Sequence, residues 1–554
     1  MTRAHFGAVS FSLLLACGGA LPAPYPLTEP LTQDPDRHPF PAKPERYESP
    51  LIWDGADQLF FRPLSRLLAV DPGGEATNVN ALDEVADSSW FTNRIGQRPL
   101  SPEDVASGPC TTAPLDPSRH WQVTASKDEG ATPGFIVRGA DGLRYLIKFD
   151  DAVQGPRPTA ADVIGSRFYY AAGFAAPCNR IVFFDRSVLE IAPGARYTTW
   201  TGQKLPLTQA QLDLVLTHGT RLADGRYRAS SSLWLPGEAL GPWRYEGTRS
   251  DDPNDIVAHE DRRELRGARL LAAWLDHLDS REENTLATWL PVGHGSGWVQ
   301  HAFIDFSDCF GNVWDPPALG RAVGHEYLFD PLTIAENLVT FGIPHPAWQA
   351  AHFGPSGAVF GYYDIARFEP EAWRPYYPVP AFDRMTERDG AWMARIIAHF
   401  SREQLEQAIR TGLMGSALNA ELLRTLEGRR EKILRRYLTR WSPLSEPRLI
   451  ASSGRTRLCV KDLAVLAGLR PSGQSAYTGT ISSAGGAESS LQVTLSGDQE
   501  PCVELPHAPA SSRQPVYLQL DLQTNRAGDG RLRLYAYERA ARSYTLVGLE
   551  RLPE

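Results

Sequence analysis

Two ionisable residues sit at the ends of apolar runs, and that placement restricts the folding of this chain more than any other feature. Lys148 lies in Tyr145-Leu146-Ile147-Lys148-Phe149-Asp150 and Asp305 in His301-Ala302-Phe303-Ile304-Asp305-Phe306. Both runs read as half-buried strands, the first delivering an amine to a cleft and the second closing on a carboxylate. Between them, Asp279 and Asn284 stand five apart in Asp-Ser-Arg-Glu-Glu-Asn. A fold for this chain has to make sense of all four.

The chain has 554 residues, 42% hydrophobic and 22% charged, enough to bury a large core and to form two or three units. Its net charge of -9 leaves no basic stripe to neutralise phosphates, which argues against a nucleic-acid partner.

The first residues read as a targeting segment. Arg3 precedes an apolar stretch from Phe6 to Leu15, which ends Leu14-Leu15-Ala16-Cys17-Gly18-Gly19-Ala20 and is too short to span a bilayer. This resembles a bacterial lipoprotein signal, which implies lipid attachment at Cys17 (residues 1–17) and a membrane link through that anchor only. Gly18 after the cysteine implies, by the same resemblance, the outer membrane. Residues 18–59 are rich in proline and read as a semi-rigid tether holding the folded part away from the membrane. Apart from Cys17 there are Cys110, Cys178, Cys309, Cys459 and Cys502, an odd number compatible with an oxidising compartment. Cys459 and Cys502 are the best disulfide candidates, since both lie in a strand-rich C-terminal unit.

Residues 60–441 carry the chemistry. Ser126 to Val137 reads as strand, glycine-bearing turn and strand, either a plain β-hairpin turn or, with Gly130, Thr132 and Gly134, a loop over nucleotide phosphates. No Gly-Lys-Ser/Thr follows, so it is not a Walker loop. Thr159 to Gly173 reads as an amphipathic helix capped by Thr159, with Asp162 placed to meet Lys148. His259 to Leu275 is a helix that delivers the chain to Asp279, and a hairpin turning through Gly293 to Gly297 carries it on to Asp305. Further helices are expected near 391–400, 402–411 and 419–440. Asp251 to Asp255 lacks the glycine and distal glutamate of a calcium loop and reads as an acidic turn. Phosphoryl transfer needs an amine on the phosphates, oxygen ligands for magnesium and a carboxylate near the attacking hydroxyl, and all three kinds of group are present.

Asp279-x-Arg281-x-x-Asn284, followed by Phe303-Ile304-Asp305-Phe306 and Phe310-Gly311, resembles the atypical kinases of the phosphatidylinositol 3-kinase and HipA-type group. The resemblance implies an α+β, two-lobed protein-kinase-like fold with a β-rich N-lobe over about 60–200 and a helical C-lobe over about 201–441. It implies Asp279 as base for an acceptor hydroxyl, Arg281 steadying it or the phosphates, Asn284 and Asp305 holding Mg2+, and Lys148 binding phosphate of ATP. Ser280 and Arg281 alter the usual Asp-Arg-His order, and Ser307 replaces the glycine after Asp-Phe. After Pro443 the texture changes to short period-two runs between turn signals, which suggests a β-sandwich over 442–554. The expectation is an envelope lipoprotein with a kinase-like Mg-nucleotide site acting on an unknown hydroxyl acceptor. The alternative is a catalytically inactive surface lipoprotein that keeps the fold as a binding or scaffold module.

Overall fold

The structure, a computed structural model, describes residues 25–47, 51–67, 73–127, 134–199, 203–314, 317–341, 343, 346–452, 454–483, 488–497, 499–507, 515–540 and 542–554. Cys17, Gly130 and Thr132 lie outside the described residues. The architecture is mixed α+β, with sheets of seven, four, four and five strands.

Side-chain alternation explains how the seven-stranded sheet presents its lysine. Its order is Asn179–Phe184, Tyr227–Leu233, Arg144–Phe149, Gly134–Arg138, Trp121–Lys127, Leu189–Thr198 and Lys204–Pro206. Neighbours are antiparallel except the pair Trp121–Lys127 and Leu189–Thr198, which is parallel. Tyr145, Ile147 and Phe149 join a core with Trp121, Val123 and Phe135 that the helix Gln209–Thr217 closes through Leu212, Val215 and Leu216. Successive strand residues point to opposite faces, so Lys148 is turned to the other side of the sheet. The sheet continues past residue 200, because Lys204–Pro206 and Tyr227–Leu233 belong to it and Leu212 shares its core.

On Lys148's side lies the helix Arg157–Ala172, buried along nearly its whole length. It belongs to a second core, in which Ala160, Ile164, Phe168 and Tyr169 pack with Trp274, Phe306, Phe400 and Ile409. That core is built by the helices Arg263–Leu275, Glu387–Ala398, Arg402–Arg410 and Ser416–Ile433, and by the hairpin Thr285–Gly293 with Ser296–Phe303. Thr159 is not the cap expected from the sequence. The helix starts at Arg157 with Pro158 in its first turn, and the Asp150 carboxylate accepts the Thr159 N–H at 3.0 Å.

Residues 25–47 do not stand off as a spacer. Phe40 is buried, and Phe40–Pro41 pairs with Gly297 and Ser296 at the edge of the hairpin sheet. The Asp36 carboxylate accepts the Ser89 N–H at 2.8 Å, and Tyr25 packs on Tyr535 at 4.8 Å between ring centroids. Aromatic and aspartate side chains between the prolines supply the contacts that a Pro-rich spacer lacks.

The C-terminal unit consists of two antiparallel sheets sharing one core, with Leu458, Val460 and Val503 of the four-stranded sheet against Leu520, Leu522 and Leu534 of the five-stranded one. Cys459 and Cys502 face each other across neighbouring strands, 4.1 Å apart at Cα, and form a disulfide. A second disulfide joins Cys110 to Cys178, while Cys309 is a buried free thiol. No helix among the described residues is long and apolar enough to cross a membrane.

Candidate active site

Lys148 is 2% exposed, and its ammonium lies 3.2 Å from Asp162 Oδ1 and 2.8 Å from Asp305 Oδ1. Three separate elements meet there: the strand with Lys148, the helix with Asp162 and the segment just beyond the hairpin with Asp305. Gly165 makes the approach possible, because a Cβ at that position would come within 2.7 Å of Phe306 Cβ. Ser230, directly across the sheet from Lys148, donates its hydroxyl to Asp162 Oδ2 at 3.0 Å, and the Phe306 N–H points at Oδ1 from 3.3 Å. Burial alone would lower the Lys148 pKa, but Asp162 and Asp305 outweigh it and hold the amine charged. Burial likewise raises Asp162, against the opposing pull of Lys148.

Gly134 is Lys148's partner on the neighbouring strand, where a Cβ would strike the Ile147 carbonyl oxygen. The absence of a side chain thus serves close strand packing beside the lysine.

The Asp279 segment follows the helix Arg263–Leu275, which ends at Asp276 in a left-handed conformation with φ 55°. Asn284 donates its amide to the Asp279 carbonyl at 2.7 Å and to Asp279 Oδ2 at 2.8 Å, so its amide oxygen remains as the acceptor. Arg281 Nε lies 3.1 Å from Asp279 Oδ1, and the Ile304 N–H donates to the Asn284 carbonyl, tying this turn to the Asp305 segment. Burial works against the Arg281 charge, but Asp279 and Glu283 raise its pKa.

Four residues that the sequence reading did not single out complete the site. His277 is fully buried, donating Nε2–H to the Asp305 carbonyl at 2.8 Å and accepting from the Tyr169 hydroxyl at Nδ1 at 2.8 Å. Burial pushes its pKa down to about 4, so it is a neutral brace between the helix and Asp305. Arg157 donates to the Ser307 and Cys309 carbonyls, and Gln154 to the Gly311 carbonyl at 3.4 Å, pinning the loop after Asp305. Asp308 is pushed up to about 7 by burial and by the nearby Asp279 and Asp305 carboxylates. Its only sequence signal is its place three residues after Asp305. Ser307, where the resembled kinases carry glycine, donates its hydroxyl to Asp305 Oδ1 at 2.7 Å.

The groups that could offer oxygen to a hard divalent cation are the Asp305 carboxylate and the Asn284 amide oxygen. Among the described residues no group of three or more His, Cys, Asp or Glu is arranged to hold a metal alone.

No protein-family model and no curated protein matches this chain. Among solved structures it is similar to one described as the crystal structure of the Golgi casein kinase, at 11% identity over 54% of this chain and 74% of that one, with a TM-score of 0.23. A second, described as the Golgi casein kinase with Mn/ADP bound, is 13% identical over 54% of this chain and 75% of that one, with a TM-score of 0.21. Likenesses at those scores decide nothing about this chain, and the geometry of the site stands by itself.

Proposed function

We propose that this chain is a kinase-like protein that takes a Mg-nucleotide, ATP in the first instance, and transfers its terminal phosphoryl group to a hydroxyl acceptor. The observation that carries this reading is the buried Lys148 ammonium shared between Asp162 of a helix and Asp305 of a separate loop. Such an arrangement holds an amine charged and oriented between the seven-stranded sheet and the helical body, here taken as two lobes.

The roles follow from the groups. Lys148 would hold phosphate oxygens, and Asp305 with Asn284 would hold the cation, which supplies charge neutralisation on the phosphates when bound. Asp279, braced by Arg281 and Asn284, would accept the acceptor's hydroxyl proton. The acceptor oxygen forms the new bond to phosphorus as the bond to the nucleoside diphosphate breaks. A second reading, a fold kept for binding alone, is favoured by one observation: the Ser307 hydroxyl and Lys148 both converge on Asp305 Oδ1, where a cation would bind.

Cys17 lipidation and an outer-membrane address belong to this proposal. The two disulfides support an oxidising compartment. The test is transfer of labelled terminal phosphate from ATP with Mg2+ or Mn2+ to envelope hydroxyl compounds. Asp279→Ala should retain nucleotide binding and lose transfer by a factor of 100 or more, as removal of a general base does (order of magnitude). Transfer by Asp279→Ala at the wild-type rate would remove Asp279 from the mechanism.

A further inference from the structure

The helical segment 51–67 is amphipathic the wrong way round for a helix docked by hydrophobic burial. Trp53, Phe60, Phe61 and Leu64 face solvent, between 47% and 61% exposed, whereas Asp54, Gln58 and Arg62 are between 5% and 9% exposed. With Arg66 these polar residues recur every fourth position. An α-helix advancing 3.6 residues per turn would rotate such a stripe away from a flat partner. The segment Asp57–Phe61 corrects for this with one wider π-type turn, in which the Arg62 N–H bonds the Asp57 carbonyl. Pro63, which has no N–H for the normal ladder, lies just beyond that turn.

The aligned polar stripe grips the segment that carries Asp279 and Asn284. Gln58 Nε2 donates to Glu283 Oε1 at 2.8 Å, and Arg62 Nη1 to Glu282 Oε1 at 2.7 Å. Glu282 also accepts the Tyr245 N–H at 3.1 Å, and Arg66 pairs with Glu246 at 2.9 Å, so the grip is anchored on a third segment. Glu283, held by Gln58, lies 3.7 Å from the Arg281 Nε that contacts Asp279. The chain of contact runs Gln58, Glu283, Arg281, Asp279.

We propose that the 51–67 helix is a clamp whose Gln58 and Arg62 are positioning residues for the Asp279–Asn284 turn, acting chiefly on Asp279, the group that would take the acceptor's proton. The assignment of a proton acceptor rests on the function proposed above; the mechanical part of the clamp does not.

The experiment is hydrogen exchange on the full chain, comparing wild type, the double variant Gln58→Ala/Arg62→Ala, Arg62→Lys, and Trp53→Ser as an outer-face control. The informative amides are Asn284, bonded to the Arg281 carbonyl, and Ile304, bonded to the Asn284 carbonyl. At these amides the double variant should exchange at least about tenfold faster, Arg62→Lys should recover part of the protection, and Trp53→Ser should match wild type. In the same proteins transfer should fall at least about tenfold, and by a larger factor than the affinity for nucleotide with Mg2+, which depends on the turn only through Asn284. Unchanged exchange at Asn284 and Ile304, or a rise no larger there than at every other slow amide, overturns the clamp. Absence of nucleotide binding by wild type strikes the proposed function alone, because the exchange comparison needs no nucleotide.

Discussion

Lys148 concentrates the energetics of the site because it is a full charge with almost no water. Its loss would leave Asp162, which is 0% exposed, without its cation. Breaking one side of a buried pair costs roughly 3–5 kcal/mol, so Lys148→Met should lower unfolding stability by about that much in urea titrations. The double variant Lys148→Met/Asp162→Asn should recover part of it, and additive losses would contradict a shared pair. His277 gives a pH signature. Its native pKa of about 4 lies below the ordinary 6.5, so the unfolded chain takes up the proton first as pH falls. The contribution is fully present above pH 6.5 and lost as pH falls through 4, about 3 kcal/mol in all. Stability measured against pH should be flatter by that amount for His277→Gln, and parallel curves would count against the brace. Lys148, Asp279, Asn284 and Asp305 were legible because each stands at a strand end or a fixed spacing. His277 and Asp308 were not, because what distinguishes them is what they face: Tyr169 and the Asp305 carbonyl for one, two carboxylates for the other.

At the scale of elements, close approach is the recurring device. Gly165 sits on the Asp162 helix where the Asp305 segment crosses it, and Gly165→Ala should destabilise by about 1–3 kcal/mol through overpacking against Phe306. It should also weaken nucleotide binding, since relief of the clash moves Asp305 away from Lys148; unaltered binding would show that the crossing distance does not matter. The disulfide Cys459–Cys502 closes a separation of 43 residues, for which loop entropy predicts about 4 kcal/mol. The C-terminal unit of Cys459→Ser/Cys502→Ser should accordingly melt first in calorimetry. Period-two alternation made those strands readable, and both cysteines fell in them. The Cys110–Cys178 bridge was not readable, since Cys110 follows a short helix at Pro102–Ser107 and Cys178 precedes a strand, with no shared pattern to bring them together. The N-cap of the Asp162 helix is Pro156 and not Thr159, whose N–H is taken by Asp150 just past the end of the previous strand.

Charge links the central helices to the C-terminal unit. Asp83 Oδ1 accepts from Arg263 at 2.5 Å, and its Oδ2 lies 3.3 Å from Arg395 and 3.2 Å from Arg551 of the C-terminal unit. Burial would raise Asp83, but the three arginines overcome it and bring its pKa to about 2, against an ordinary 3.8. That contribution is present above pH 3.8 and lost as pH falls through 2, about 2 kcal/mol, and Asp83→Asn should abolish it in acid-unfolding curves. Sequence texture divided the chain into tether, central part and strand-rich end. Composition could not show that the Pro-rich segment spends Tyr25, Asp36 and Phe40 on the body, because the partners Tyr535, Ser89 and Trp289 are hundreds of residues away or lie in other elements. The central claim is that Lys148, Asp162 and Asp305 form one nucleotide and cation site. Calorimetric titration of the protein with ADP and Mn2+, beside Asp305→Ala, tests it most directly. Saturable, metal-dependent binding in wild type that is lost in a folded Asp305→Ala is the predicted result. A folded wild type that binds no nucleotide with either Mg2+ or Mn2+, or an Asp305→Ala that binds as well as wild type, would contradict it.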